Sequence, residues 1–406
     1  MEIQALHRDH IGQKAWQIAL NALPKDNLTA SDIATKEACE RGYAKSKKRG
    51  EDVAAQVKRE RNSTEEYPLW RRVQALSDAR PTGLILKANS SFCQAKLACD
   101  SYRKVTELLE DMMHRYNFAS DNYLLPNGSP ITALVRVILH DPRFLFTWDD
   151  TWLSKVLHFA EHENTGAGGW MDSNFDEQFR DSVMEQLRQK GWNFTRIPLV
   201  ITVQCWIIRG IMIEGPGIKR VEHLYKALQV VRWARTTLMP EEFAKLENSD
   251  RYNELELLSP AFLLAVQKTY LDSIIECMEP NIVADDKKPH LLEEIRSEAE
   301  ELLLKVSSMP RDDEALYAVA YQDFPRGIAH AALGTYYCER AYLATPPLPQ
   351  AEFEELMKKS SEQFRQAVLW FPEGDEYRAR YLHLALEGMI AGGDTLLGAL
   401  MEPSDS

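Results

Sequence analysis

What most constrains this chain is a periodicity. Apolar residues recur at intervals of three and four almost throughout, while alternating β-branched runs closed by Asn-Gly or Asp-Gly turns are missing. Such a pattern gathers apolar side chains on one stripe of a helix and gives a sheet nothing to build on. The fold class expected is therefore all-α. Helices are predicted over 2–22, from a Ser31/Asp32 cap to Arg61, and over Leu69–Ala79, Ser90–Tyr116, Ile131–Leu139 and Trp148–His162. A second series covers Phe175–Lys190, Ile197–Ile213, Lys219–Leu238, Ser259–Cys277, Leu291–Val306, Arg326–Ala344, Ala351–Phe371 and Tyr377–Ala391. Segments of about 15–20 residues joined by short Pro- or Gly-marked turns are how stacked helical hairpins present themselves.

Between the two series lies Asn164–Asn174, with Gly166, Gly168 and Gly169. No Lys-Ser/Thr follows these glycines, so the run is not a phosphate-cradling loop; it is expected to part an N-terminal region, 1–165, from a C-terminal one, 175–406. A length of 406 residues with 45% hydrophobic and 27% charged side chains suits a large core. The formal charge of −13 argues against general nucleic-acid binding, which needs surplus Lys and Arg to neutralise phosphates. Local basic residues (Lys45, Lys47, Lys48, Arg49, Lys58, Arg59, Arg61) read as a solvated helix face.

The first residues, MEIQALHRDHIGQKAW, lack a signal-peptide core. The most apolar stretch, Ile197–Ile213, is broken by Pro198, Gln204, Arg209 and Gly210 and reads as a buried helix, not a membrane span. Six scattered cysteines form no CxxC pair. A cytoplasmic or nuclear location without secretion is expected, and the sequons at Asn27, Asn62, Asn89 and Asn193 then carry little weight.

The C-terminal helices carry a motif. His330, Leu333, Gly334 and Tyr337 stand at the spacing of the first helix of a tetratricopeptide repeat (TPR), with His330 in the aromatic's place. Ser360, Phe364, Ala367 and Pro372 stand at the spacing of its second helix, and Leu382 and Ala385 lie on the packing face of a following one. The connection Tyr342–Phe353, with Pro346, Pro347 and Pro349, is longer than a TPR turn. Trp206-x2-Arg209-Gly210 with Ile213, then Gly215-Pro-Gly-Ile-Lys before Tyr225 and Ala227, forms a looser pair. With the late Phe371-Pro372-Glu373-Gly374-Asp375-Glu376, the chain over roughly 195–400 resembles a set of uncharacterised fungal TPR-like proteins. The resemblance implies helical hairpins stacked as a divergent, right-handed TPR-like solenoid.

Residues that can carry chemistry are few. His158, Glu161 and His162 have the HxxEH form in which two histidines one helical turn apart hold zinc and the glutamate activates water. Glu163 and Asp172 follow closely, and Glu241 or Glu242 is a further carboxylate, so zinc or iron is the metal to consider. The plainer reading is a polar helix end beside a loop. His383 and Glu387 share a helix face, and with His330 they form a candidate acid/base or metal group; equally, His330 fills a packing position and the other two make an ordinary helix pair. His7 and His10 are expected to be exposed. Asp149-Asp150 lacks the third carboxylate of a terpene-cyclase metal motif and reads as a helix cap.

Two functions follow. A TPR-like protein binds a peptide or a small apolar ligand along a groove, using Tyr336, Tyr337, Arg340 and His383. The alternative is an enzyme of fungal specialised metabolism, metal-dependent through His158/His162 or holding an apolar substrate among Trp206, Trp233, Tyr337 and His383. An enzyme encloses a pocket with convergent polar groups, whereas a scaffold shows an open groove.

Overall fold

Helix follows helix through the described parts of the chain, and no strand occurs among them. The computed structural model describes Ala98 and residues 100–110, 129–145, 150–213, 217–238, 259–279, 282–309, 319–373 and 375–393, together with Lys36, Glu40, Arg41 and Ala44. The helices expected over 2–22 and Leu69–Ala79, most of the one ending at Arg61, the basic residues 45–61, and Asp149, Glu241 and Glu242 lie outside the described residues. The chain divides into two compact units, Met1–Arg72 and Val73–Ser406. The glycine-rich run at 164–174 lies inside the second unit, which holds everything that follows.

The first labelled helix, α1 (Pro130–His140), starts where sequence chemistry dictates. Ser129 Oγ accepts from the Thr132 amide at 3.1 Å and Pro130 opens the first turn. Helix α2 (Asp150–Ala167) ends at Gly168, whose φ of 71° suits the left-handed exit from a helix. Gly169 then passes so close to Asn164 that a Cβ there would meet Asn164 Oδ1 at 2.2 Å. The glycines are a helix stop.

Helices α3 (Glu177–Lys190) and α4 (Trp192–Ile208) are parted by Gly191 alone, at φ 77°. Helix α4 begins five residues before the expected Ile197, with Pro198 inside it. The proline removes one amide from the ladder, and Thr202 Oγ donates to the Pro198 carbonyl at 2.8 Å. A π-helical turn, Arg209–Ile213, extends α4. Trp192–Met212 has the length and apolarity of a membrane span, but 67% of its most apolar window is buried in the fold.

Helix α5 (Ile218–Trp233) leads through a second π turn, Ala234–Leu238. Helix α6 (Pro260–Cys277) is the axis of the core. Every residue from Ala261 to Leu271 is buried, as in a helix surrounded on all sides. It packs against α1, α5, α7 (Lys288–Ser308) and α8 (Phe324–Leu343). Its buried amide is satisfied: Gln267 Nε2 donates to Glu298 Oε2 at 2.9 Å, and Lys305 Nζ donates to Gln267 Oε1 at 3.1 Å. Arg232 of α5 grips the same Glu298 with two bonds, 2.8 and 2.7 Å, tying three helices together.

Helix α8 is preceded by a third π turn, Val319–Asp323, and is followed by α9 (Gln350–Trp370) and α10 (Glu376–Ala391). α8 packs on α9, and α9 on α10. Small residues set each approach. Ser360 Oγ donates to the Gly334 carbonyl and Ser361 Oγ to the Ala385 carbonyl, both at 2.8 Å. A Cβ on Gly334 would stand 2.7 Å from the Phe364 ring, which is itself pinned by stacking on Tyr381 with centroids 5.9 Å apart. Gly334→Ala is therefore expected to destabilise the protein by about 1–3 kcal/mol, the cost of overpacking. Urea denaturation checks it; an unchanged midpoint means the Phe364 ring moves aside freely.

Candidate functional site

The residues singled out by sequence are placed as follows. His158 and Glu161 are exposed on α2 and His162 is half-buried. Among the described residues, no three His, Cys, Asp or Glu side chains come together as a metal-binding group. The neighbour of the motif is the unusual residue. Glu163 is buried, accepts the Ser129 hydroxyl at 2.6 Å, and has its carboxyl pushed up to about 7 by burial, against the opposing pull of Ser129 and the Ile131 amide. It thus holds the start of α1 from α2.

On α8, Tyr336 is buried, its hydroxyl accepts from Arg340 Nη1 at 3.0 Å, and it lies 3.4 Å from Glu293 of α7. Tyr337 packs on the Ala341, Leu356 and Met357 cluster shared with α9. His330 Nδ1 is 2.9 Å from Gln363 of α9, and burial lowers its pKa. His383 Nε2 lies 3.0 Å from Glu387 Oε1 on α10, so these two are brought together while His330 takes a different partner. Trp206 and Trp233 both surround Phe179, with ring centroids 5.8 and 6.4 Å away, and Trp206 Nε1 donates to the Met171 carbonyl. Those two tryptophans belong to the aromatic core around Phe179, apart from the Tyr337 cluster on α9. Burial pushes the Cys205 thiol up to about 12 and the Cys277 thiol up to about 11, so neither is a ready nucleophile.

A different group of residues converges. A pocket of about 270 Å³ opens between α6, α10, the turn after α1 and the π turn after α4. Its apolar wall is Leu153, Ile211 and Met212; its polar wall is Arg143, Arg220, Thr269, Asp272, Ser273, Glu276 and Tyr377. A void with room for about one water adjoins it, walled by Lys268 and His140 and sharing Asp272 and Tyr377.

The wall is held by Arg143. Its Nε and Nη2 reach Asp141 at 2.8 and 2.6 Å, and its Nη1 and Nη2 reach Asp375 at 2.9 and 3.1 Å. The guanidinium lies 4.2 Å from the centroid of the Tyr377 ring. Burial acts to lower the arginine's pKa, and Asp141 and Asp375 more than reverse it, so the charge is fixed. Asp375 also caps α10 by accepting the Tyr377 amide at 2.8 Å. The Tyr377 hydroxyl in turn donates to Asp272 Oδ2 at 3.1 Å. On the next turn of α6, Glu276 is hydrogen-bonded by Arg220, whose Nη2 reaches the Ile211 carbonyl. Burial and the nearby Asp272 push the Glu276 carboxyl up to about 7 in spite of Arg220. Below, Lys268 Nζ donates to the Leu139 carbonyl at 2.9 Å, at the negative end of α1, and burial lowers its pKa to about 8.

The sequence does hold a signal for this site. Lys268, Asp272 and Glu276 stand at i, i+4 and i+8, a single stripe of charge along a helix otherwise almost wholly apolar. Charge on a core helix is costly unless paired, so such a stripe marks a place where the core opens on something polar. No family model, no curated protein and no solved structure matches this chain.

Three outcomes are expected. Arg143→Met removes one partner from two buried carboxylates and should cost about 3–5 kcal/mol by denaturant titration. Arg188→Met, at a surface pair with 69% and 55% of the side chains exposed, should change stability by about 0.5 kcal/mol or less. For Glu163 the folded-state carboxyl titrates above its ordinary range, so between pH 4.5 and about 7 the folded protein holds a proton that the unfolded chain has lost. Stability from this group therefore falls as pH rises through that window, by roughly 3 kcal/mol in total, and is level above it. Glu163→Gln should gain on the wild type progressively from pH 4.5 to 7; a constant difference in melting temperature across that range would contradict it.

Proposed function

We propose that this chain is a divergent TPR-like helical protein that binds a small ligand in the pocket beside α6. Support for the repeat reading comes from the packing of α8 on α9: Gly334 and Phe364, picked out by TPR spacing, lie in close approach, with Ser360 bonded to the Gly334 carbonyl. The right-handed solenoid and the kinship with fungal TPR-like proteins belong to the same proposal.

The observation that carries the binding reading is convergence. Seven polar side chains drawn from the turn after α1, from α5, α6 and α10 meet at one cavity with an apolar opposite wall. That is the composition of a ligand site, an apolar surface with a few placed polar groups. Its size lies just under the range of about 300–1,000 Å³ for drug-sized ligands, which favours a small molecule over a peptide. The polar wall turns the ligand expected along the α8 face, apolar, into one with a polar head.

One observation favours a catalytic second reading. Glu276 stands in the pocket wall beside Asp272, and burial with that neighbour raises its carboxyl in the direction a general acid/base requires. Turnover of a bound compound, absent in Glu276→Gln, distinguishes the enzyme from the binder.

The pocket is tested by filling it. A fragment library spanning cations, anions and neutral compounds should give hits on the wild type by ligand-observed NMR. Met212→Trp, which places an indole in the apolar wall, should abolish them. Hits retained in full by Met212→Trp would put the binding site elsewhere.

A further inference from the structure

Along α6 and at Tyr377 the pocket's hydrogen-bonding inventory is one-sided. A hydroxyl carries one hydrogen and two lone pairs, so once its hydrogen is committed it can only accept. Thr269 Oγ donates its hydrogen to the Ala265 carbonyl at 2.8 Å, and Ser273 Oγ to the Thr269 carbonyl at 3.0 Å. Tyr377 gives its hydrogen to Asp272. All three hydroxyl oxygens in the wall are thereby left as acceptors. The carboxylates are acceptors by nature. Asp272 receives the Tyr377 hydroxyl on one oxygen, and no basic side chain makes an ion pair with it among the described residues. Pro142, also in the lining, has no amide hydrogen to offer.

Most of the donors that line the pocket are committed, Arg220 Nε being the buried nitrogen left without a partner. Arg143 directs its donors to Asp141 and Asp375, and Arg220 directs its terminal nitrogens to Glu276 and the Ile211 carbonyl. On its α6 side the cavity wall thus offers carboxylate and hydroxyl oxygens, while its two guanidinium groups are paired with carboxylates. The opposite wall of Leu153, Ile211 and Met212 asks for a hydrocarbon body.

Resting on the reading of this pocket as a ligand site, we infer that it takes a small organic cation with a primary ammonium head. The head sits against Asp272, its three N–H groups shared between that carboxylate and the Thr269 and Ser273 oxygens. The short aliphatic body lies on Ile211 and Met212. An ammonium supplies three donors and one charge from a single atom, which matches a wall of acceptors spread over two turns of one helix. On the α6 side a carboxylate or phosphate would meet Asp272 with like charge, and a metal ion would find no group of three side-chain donors among the described residues.

The test uses the full chain and four probes in isothermal titration calorimetry: n-butylammonium, butyrate, 1-butanol and tetramethylammonium. Butylammonium should bind; butyrate and butanol should not. Tetramethylammonium, with the charge but no N–H donor, should bind about tenfold or more weakly. Asp272→Asn, which still accepts from Tyr377, should reduce butylammonium affinity by at least about tenfold while the far-UV spectrum stays helical. If butyrate or butanol binds and Met212→Trp abolishes that binding, the pocket stands and the ammonium assignment falls. If butylammonium binds equally to wild type, Asp272→Asn and Met212→Trp, both fall. Equal affinities for butylammonium and tetramethylammonium in the wild type would remove the role of the acceptor wall, and need no variant to fold.

Discussion

One guanidinium sets the geometry around which the described core of the second unit is arranged. Arg143 stands in the turn after α1, yet two of its guanidinium bonds go to Asp375, which lies 232 residues further along the chain. Buried between two aspartates, it gains Coulomb energy and directional bonds that offset the loss of water around three charged groups. Its planar face covers the Tyr377 ring, and through that ring's hydroxyl the constraint passes to Asp272 on the central helix. An arginine suits this position because its rigid fork can serve two carboxylates and stack at once, which an ammonium cannot.

The rest of the core explains why such a contact is tolerated. Helix α6 is enclosed by α1, α5, α7 and α8, so any polar group on it must find a partner inside the protein. Gln267 does so through Glu298 and Lys305, and Lys268 through the carbonyls that end α1. Asp272 and Glu276, nearer the helix end, reach the edge of the core, where the π turn of Arg209–Ile213 displaces the chain and leaves a pocket. Such turns insert one residue into a helical ladder and re-aim the side chains beyond it, and here Ile211 and Met212 are the ones re-aimed.

Much of this architecture was legible in the sequence, for physical reasons. Helix period is local, and the helices it predicts at α1, α3 and α6 lie within a few residues of expectation. The TPR spacing found the Gly334–Phe364 contact because close packing of neighbouring helices is also a nearly local matter. The start of α4 at Trp192 was missed because Pro198 reads as a helix opener, whereas inside a helix its lost hydrogen bond is a single one. The pocket was missed for a different reason. Arg143, Ile211, Asp272 and Tyr377 share no motif and meet only through tertiary packing; only the charge stripe on α6 hinted at them. HxxEH drew the eye to His158 and His162, while the residue buried under a structural constraint was the adjacent Glu163.

The distance along the chain between Arg143 and Asp375 has a bearing on when the site comes into being. Contacts within α8, α9 and α10 close short loops and can form early, whereas joining residue 143 to residue 375 closes a loop of 232 residues, at a greater cost in chain entropy. The pocket's polar wall is complete only once α10 has docked and Tyr377 has met Asp272. Tyr377 follows every other pocket residue in chain order, so the polar wall closes after the rest and not by degrees. Without α10 in place, the other helices stand without that wall.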